Sequence, residues 1–340
     1  MLRLTAMLLG AAACIWALAA RRGEMGEREL PPRFEWVVGS PLVSPADRPD
    51  DPCHAIKDPT IVRYGGRWHL FCSIRSRTRT HQIEYLSFED WEHADSAERH
   101  VLTFNDGYFC APQVFYFAPH GKWYLIHQVV DQSRKPALQP AYSTSTDVAD
   151  PTSWSASRLL FAEHPDNVKM WIDFWVICDE ERAHLFFTSL DGRMWRADTA
   201  LDDFPHGWSR PEVVLQADIF EAGHVYHLRG MDKFLAVIEA QAGARRYYKA
   251  YVADRLDGDW TPLAATRENP FAGAANVRDA GPHWTDSISH GELIRAGHDQ
   301  RLEVDPGDLR LLFQGVTDAE MRGRSYGDIP WRLGLLAPAR

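Results

Sequence analysis

The chain has 340 residues, 45% of them hydrophobic and 25% charged, a globular balance with apolar material for one large core or two small ones. Its formal charge of −10 and the absence of a long Lys/Arg block exclude a phosphate-tracking surface, and with it nucleic acid as a partner. Aromatic residues make up 12%, including 13 Trp and 11 Tyr, flat side chains that fill β-rich cores and also stack on sugar rings.

Arg3, the apolar stretch from Leu4 to Ala20 and the small-residue sequence Ala17-Leu18-Ala19 read as a secretory signal peptide over residues 1–20. A linker over 21–33 follows. The stretch is close to the roughly 20 residues that span a bilayer, so an uncleaved anchor is the alternative. With the signal removed, the expectation is a secreted protein, extracellular or periplasmic, with no membrane contact. Cys53, Cys72, Cys110 and Cys178 match no zinc spacing. An oxidising compartment permits disulfides, yet Cys72 and Cys178 sit inside apolar runs as buried thiols would, and the pairing stays open.

From Phe34 onward the sequence predicts short strands, four to eight residues rich in Val, Ile, Tyr, Phe and Trp, broken by Gly, Asp, Asn or Pro. One pattern recurs: a special residue, an apolar run, a turn, and a second apolar run. It begins at Asp58 (DPTIVRYGGRWHLFCSI), Ala111, Asp173, Glu221 and His290. Five copies predict an all-β fold, a five-bladed β-propeller over 34–340, in which each blade buries its faces against its neighbours around a central channel. A β-sandwich of similar hairpins is the competing architecture.

The residue heading the innermost strand of a blade points toward the shared axis. Three of the five are carboxylates, Asp58, Asp173 and Glu221, with Glu221 offset by one residue from its apolar run. Acids in apolar settings are costly to leave ionised and unpaired, which makes three at one relative position a candidate acid/base site. Glycoside hydrolysis needs one protonated carboxyl for the departing oxygen and one carboxylate to activate water or attack the sugar. A third acid raises the pKa of the proton donor. Rival acids are Glu239 in VIEA, Glu89 and Asp90 before Trp91, and Glu292, which strand alternation would place on the same side as His290.

Several long strings, among them AIKDPTIV from Ala55, APQVFYFAP from Ala111, WIDFWVICD from Trp171, FEAGHVY from Phe220 and WTDSISHGELIRAGHDQ from Trp284, give the chain a resemblance to glycoside hydrolase family 62. These are arabinofuranosidases that share a five-bladed propeller with family 43. The resemblance runs from about Phe34 to the C-terminus. It implies an inverting enzyme that releases non-reducing-end α-L-arabinofuranose from arabinoxylan or a related hemicellulose, acting as a monomer without a cofactor for the chemistry. Asp58 would be the general base, Asp173 the acid that tunes pKa and holds orientation, and Glu221 the general acid. His290 would stand beside a structural calcium ion at the axis, largely through water. Lys57 and Tyr326 match positions lining the terminal-sugar pocket, and Arg246 in RRYY matches a basic residue before Tyr. Read from the residues alone, Lys57 is equally an outward-facing strand residue and Arg246 a surface ion-pair partner.

The sequence departs from this family at three places. Gly327 stands where relatives usually carry Asn after the pocket tyrosine, which removes a hydrogen-bond donor. The segment from Arg75 to Gln82 carries Arg75, Arg77 and Arg79, read either as a solvated basic turn or as a recognition element for an acidic decoration such as a uronic acid. Asp131 to Pro140 reads as an extra loop near the rim. The competing functions are a same-clan β-xylosidase or arabinan hydrolase and, from another class, a propeller that binds glycans without cleaving them.

Overall fold

The computed structural model describes residues 29–339. The expected signal peptide, and the expected linker before Glu29, lie outside the described residues. From Pro32 onward the chain forms five sheets, so the five-bladed expectation holds. Blade one is built from Cys53–Tyr64, Arg67–Ser76, His81–Phe88 and Arg99–Val101, and blade two from Phe109–Phe117, Lys122–Val130, Leu138–Ser145 and Arg158–Leu159. Blade three follows with Ile172–Cys178, Arg182–Thr188, Arg193–Ala200 and Glu212–Gln216. Blade four holds His224–Leu228, Phe234–Ala242, Arg245–Ala253 and Thr261–Ala264.

Blade five takes Ser287–Leu293, Leu311–Val316 and Arg332–Pro338 from the C-terminal part, and its next strand, Trp36–Val38, from the N-terminal part. Trp36 pairs antiparallel with Pro338, and its indole Nε1 donates to the Phe271 carbonyl. Closure by the two ends of the domain removes the open edge a linear array of sheets would leave.

Large side chains buried between blades carry the core. Phe71, Val114, Trp123 and Trp154 pack together from blades one and two, and the Trp175 indole of blade three donates to the Val225 carbonyl of blade four at 2.8 Å. The loop after Leu293 crosses the far ends of three inner strands. Tyr116 N donates to His298 O at 2.8 Å, Cys178 N donates to Gln300 O at 2.9 Å, and Glu303–Val304 pair in parallel with His227 and Leu228. Within the channel, Arg295 donates to the carbonyls of Ile61 and Val114 and pairs with Glu292 at 2.6 Å. One mouth of the channel is thus covered, and ligand access is left to the end where the inner strands begin.

Candidate active site

The inner strands open with the same irregularity. Register shifts place Asp58-Pro59, Ala111-Pro112 and Asp173-Phe174 each opposite a single residue of the second strand, and the first of each pair has positive φ: 46° at Asp58, 50° at Ala111 and 57° at Asp173. These are β-bulges, which bend a strand and re-aim its side chains. Backbone this unfavourable for a non-glycine residue persists where surrounding bonds hold it. Here the bonds come from neighbouring blades. Ser73 Oγ accepts from Ala111 N (2.8 Å), Gln128 Oε1 from Asp173 N (3.3 Å), Glu239 Oε2 from His290 N (2.7 Å), and Gln314 Oε1 from Asp58 N (2.9 Å).

In blade four the positive-φ residue is Ala222, at 49°, not Glu221. Glu239 bonds to two consecutive residues across the sheet, since Glu239 N donates to Glu221 O at 3.0 Å and Phe220 N donates to Glu239 O at 2.7 Å, so Glu221 stands beside Glu239 and before the positive-φ Ala222. In bulge register Glu221 therefore occupies the place that Lys57 holds in blade one. The offset seen in the sequence has a structural origin. Ala222 N donates to the Asp173 carboxylate at 3.0 Å, which ties blade three's acid to the residue next to Glu221.

All three acids are buried at one end of the channel. His290 Nδ1 lies 3.4 Å from Asp58 Oδ1 and 3.7 Å from Asp173 Oδ2, and Lys57 Nζ is 3.8 Å from Asp58 Oδ1. Burial pushes the Asp58 carboxyl up, but Lys57, His290 and the Ser73 hydroxyl outweigh it and hold Asp58 below the ordinary carboxylate range. Burial raises Asp173, with His290 opposing and the Asp58 charge adding to the rise. Burial also drives Glu221 well above its ordinary value; Glu239 and Asp173 reinforce this against Arg246 and Lys57. One carboxyl is thus biased toward its ionised form and another toward its protonated form around a shared space.

Lys57 is buried at the site rather than facing outward, because the bulge at Asp58 breaks strand alternation and admits both neighbours. Its ammonium lies 4.8 Å from the centre of the Tyr326 ring. Arg246 is not a surface ion-pair residue: it is buried, bonded to Glu239 at 2.8 Å and within 3.5 Å of Glu221. Tyr326 stays exposed on a single turn of 3-10 helix, with Arg246 5.7 Å from its ring centre.

The rim loops share one topology. Arg77 to Thr80, Asp131 to Ala137, Gly243 to Ala244 and Thr317 to Trp331 all join the second strand of a blade to the third, so they gather at the same mouth. The loop from Asp131 is at this rim but ends at Ala137, because Leu138, Gln139 and Pro140 pair into the third strand rather than extending the expected loop; it is anchored by Arg134 donating to the Phe161 and Ala162 carbonyls.

Of the rival acids, Glu239 is fully buried and accepts from Ser289 Oγ, His290 N and Arg246. It positions and charges the site from behind. Glu292 does not share a side with His290 through alternation, because the register shifts between Ser289 and Gly291; it pairs with Arg295 in the channel, and burial pushes its carboxyl to about 7. Glu89 and Asp90 are exposed, and Glu89 pairs with Arg67. Arg79 is neutralised by Asp51 at 2.8 Å, and Arg77 is exposed. Cys53, Cys72, Cys110 and Cys178 are free thiols.

Among the described residues, no group of three or more His, Cys, Asp and Glu converges to hold a metal. Hard Ca²⁺ takes six to eight oxygens, and the His290 nitrogen facing the site is turned to two carboxylates. Direct coordination of calcium does not fit these side chains.

Comparison with known proteins agrees with the five-bladed fold. The glycosyl hydrolase family 62 model matches residues 36–337. α-L-Arabinofuranosidase C of Cellvibrio japonicus is 38% identical over 316 residues, which cover 91% of this chain and 48% of that protein; the chain spans about half the length of this curated relative. The catalytic domain of a Coprinopsis cinerea family 62 α-L-arabinofuranosidase superposes with a TM-score of 0.85 at 37% identity, covering 91% of this chain and 98% of that one. A family 62 hydrolase solved with xylotriose gives 0.83 at 37%, covering 90% and 98%. With its fold and its ring of buried acids in place, the chain belongs to glycosyl hydrolase family 62.

Proposed function

We propose that this protein hydrolyses terminal α-L-arabinofuranosyl side chains of arabinoxylan or a related hemicellulose, with inversion at the anomeric carbon. The observation that carries the reading is the opposed tuning of Asp58 and Glu221 on one buried space. Asp58 takes a proton from water as that water attacks the anomeric carbon, and Glu221 gives its proton to the departing glycosidic oxygen. Asp173 supports Glu221 by its negative field and by its hydrogen bond from Ala222 N. Lys57, Tyr326 and Arg246 wall the sugar pocket. The names of the relatives, and the xylotriose bound to one of them, support the substrate.

His290 would be the neighbour of a calcium ion held through water, a structural role. Secretion rests on residues 1–20, and action as a monomer completes the proposal. The test is arabinose release from arabinoxylan followed by proton NMR in the first minutes. The expected product is the β-anomer, which mutarotates later; an initial α-anomer would establish double displacement, and no monosaccharide from arabinoxylan, arabinan or aryl glycosides would leave glycan binding without cleavage.

Glu239→Gln removes a negative charge and leaves Glu221 as the carboxylate paired with Arg246. Both changes favour the ionised form of Glu221, so its pKa falls. The alkaline limb of kcat/KM, where Glu221 loses its proton, is expected to move to lower pH by about one pH unit. A limb that stays in place in the variant's pH profile would remove Glu239 from control of the acid.

A further inference from the structure

Gly327 follows Tyr326 at the pocket rim, and its missing side chain is used. A Cβ built there would overlap the Arg75 Nη1 nitrogen and lie 3.0 Å from Cζ and 3.1 Å from Nη2. The guanidinium therefore stands in the volume that any other residue at 327 would fill. Arg75 reaches this place from blade one, where it pairs across the sheet with Ala55, two residues before Lys57. The carbonyl of Gly327 is bonded in turn to His54 Nε2 at 2.9 Å, which fixes the turn against the same strand.

Among the described residues the charge of Arg75 has no ion-pair partner. Its Nε is buried without a hydrogen-bond partner, and among the described residues no carboxylate lies within ion-pair distance of it, whereas Arg79 has Asp51 and Arg48 has Glu84. Asp328 feels its field, but that carboxylate is exposed and accepts from Ser325 Oγ at 2.6 Å. The cations nearest the Tyr326 ring are both paired, Lys57 with Asp58 and Arg246 with Glu239 and Glu221. A half-buried guanidinium at the edge of a sugar pocket, with a fork of donors and no internal acid, suits a planar anion that arrives with the ligand.

We propose that Arg75, in the space left by Gly327, is a specificity-determining residue that receives a carboxylate carried by the polysaccharide, the carboxyl of a uronosyl branch close to the arabinose being removed. The inference rests on the polysaccharide reading above and names the class of polymer within it: an acidic, uronate-decorated one. Arg77 and Arg79 are not part of this contact, since one is exposed and the other is held by Asp51.

The test compares uronate-bearing arabinoxylan oligosaccharides with the same oligosaccharides after their carboxyl groups have been reduced to primary alcohols. At low salt the wild type is expected to show kcat/KM about tenfold higher on the acidic form. Arg75→Met brings the ratio close to one, Gly327→Ala does the same by displacing the guanidinium, and Arg77→Met keeps it. Equal rates of the wild type on the two forms, or a ratio that survives in both Arg75→Met and Gly327→Ala, would overturn the proposal. Calorimetric titration of both forms into Glu221→Gln reads the contact without turnover. A binding preference that depends on Arg75 there upholds the proposal even if no arabinose is released, an outcome that counts only against the activity.

Discussion

Glu221→Gln is expected to lower kcat on arabinoxylan roughly 10³-fold with little change in KM, and to cost less than about tenfold on an aryl arabinofuranoside with an acidic phenol. The asymmetry follows from the chemistry of the departing oxygen. A sugar alkoxide is too basic to leave without a proton, whereas a nitrophenolate leaves unaided. Glutamine keeps the size of the side chain and an oxygen for Arg246, which stands 3.5 Å from Glu221 Oε1, so the wall of the pocket should survive. What it removes is the proton that burial, Glu239 and Asp173 keep on the carboxyl. Steady-state kinetics on the two substrates decide the matter. Equal losses on both would show that Glu221 acts on something other than the leaving group.

The sequence made the propeller legible because each blade repeats an apolar hairpin, and the two bulge acids, Asp58 and Asp173, head their runs directly. What alternation could not supply was the effect of the bulges. A strand read with strict period two sends Lys57 away from Asp58 and keeps Glu292 beside His290; one extra residue in the register reverses both conclusions. Glu221 was found by its neighbours in the pattern, yet it enters through the position before the bulge, as Lys57 does.

Glu239 was visible only as an acid inside an apolar run. Its partners explain why: His290 lies 51 residues away and Ser289 lies 50, in the next blade. Ser73, Gln128 and Gln314 belong with it, since each is a lone polar side chain near the end of a second strand and each receives a backbone N–H of the next blade's bulge. The signal that could have found them is the alignment of second strands with one another. Where blade three has Thr188 at this place, its hydroxyl has no partner and the Asp173 carboxylate accepts the Ala222 N–H instead. That exchange brings the acid of blade three next to that of blade four.

Asp58→Asn is expected to lower kcat by roughly 10³ to 10⁴ on arabinoxylan and on the aryl glycoside alike, because both reactions need an activated water whatever the leaving group. Of the two bulge acids beside His290, Asp58 is the one held ionised: Lys57 and His290 outweigh its burial, while burial leaves Asp173 raised. A base works only when deprotonated, so activity is lost as pH falls through the Asp58 pKa. With that value held below the ordinary carboxylate range, the acid limb of the wild-type profile lies on the acid side of a free aspartate near 3.9. Asp173→Asn should act differently, by removing a negative charge from beside Glu221 and so moving the alkaline limb to lower pH with a smaller loss of rate. Circular dichroism of each variant separates lost chemistry from lost fold, because Asp58→Asn leaves the buried Lys57 without its partner. If Asp173→Asn abolishes turnover on both substrates and Asp58→Asn does not, the base is Asp173, and the field of Lys57 then serves the sugar rather than the carboxylate.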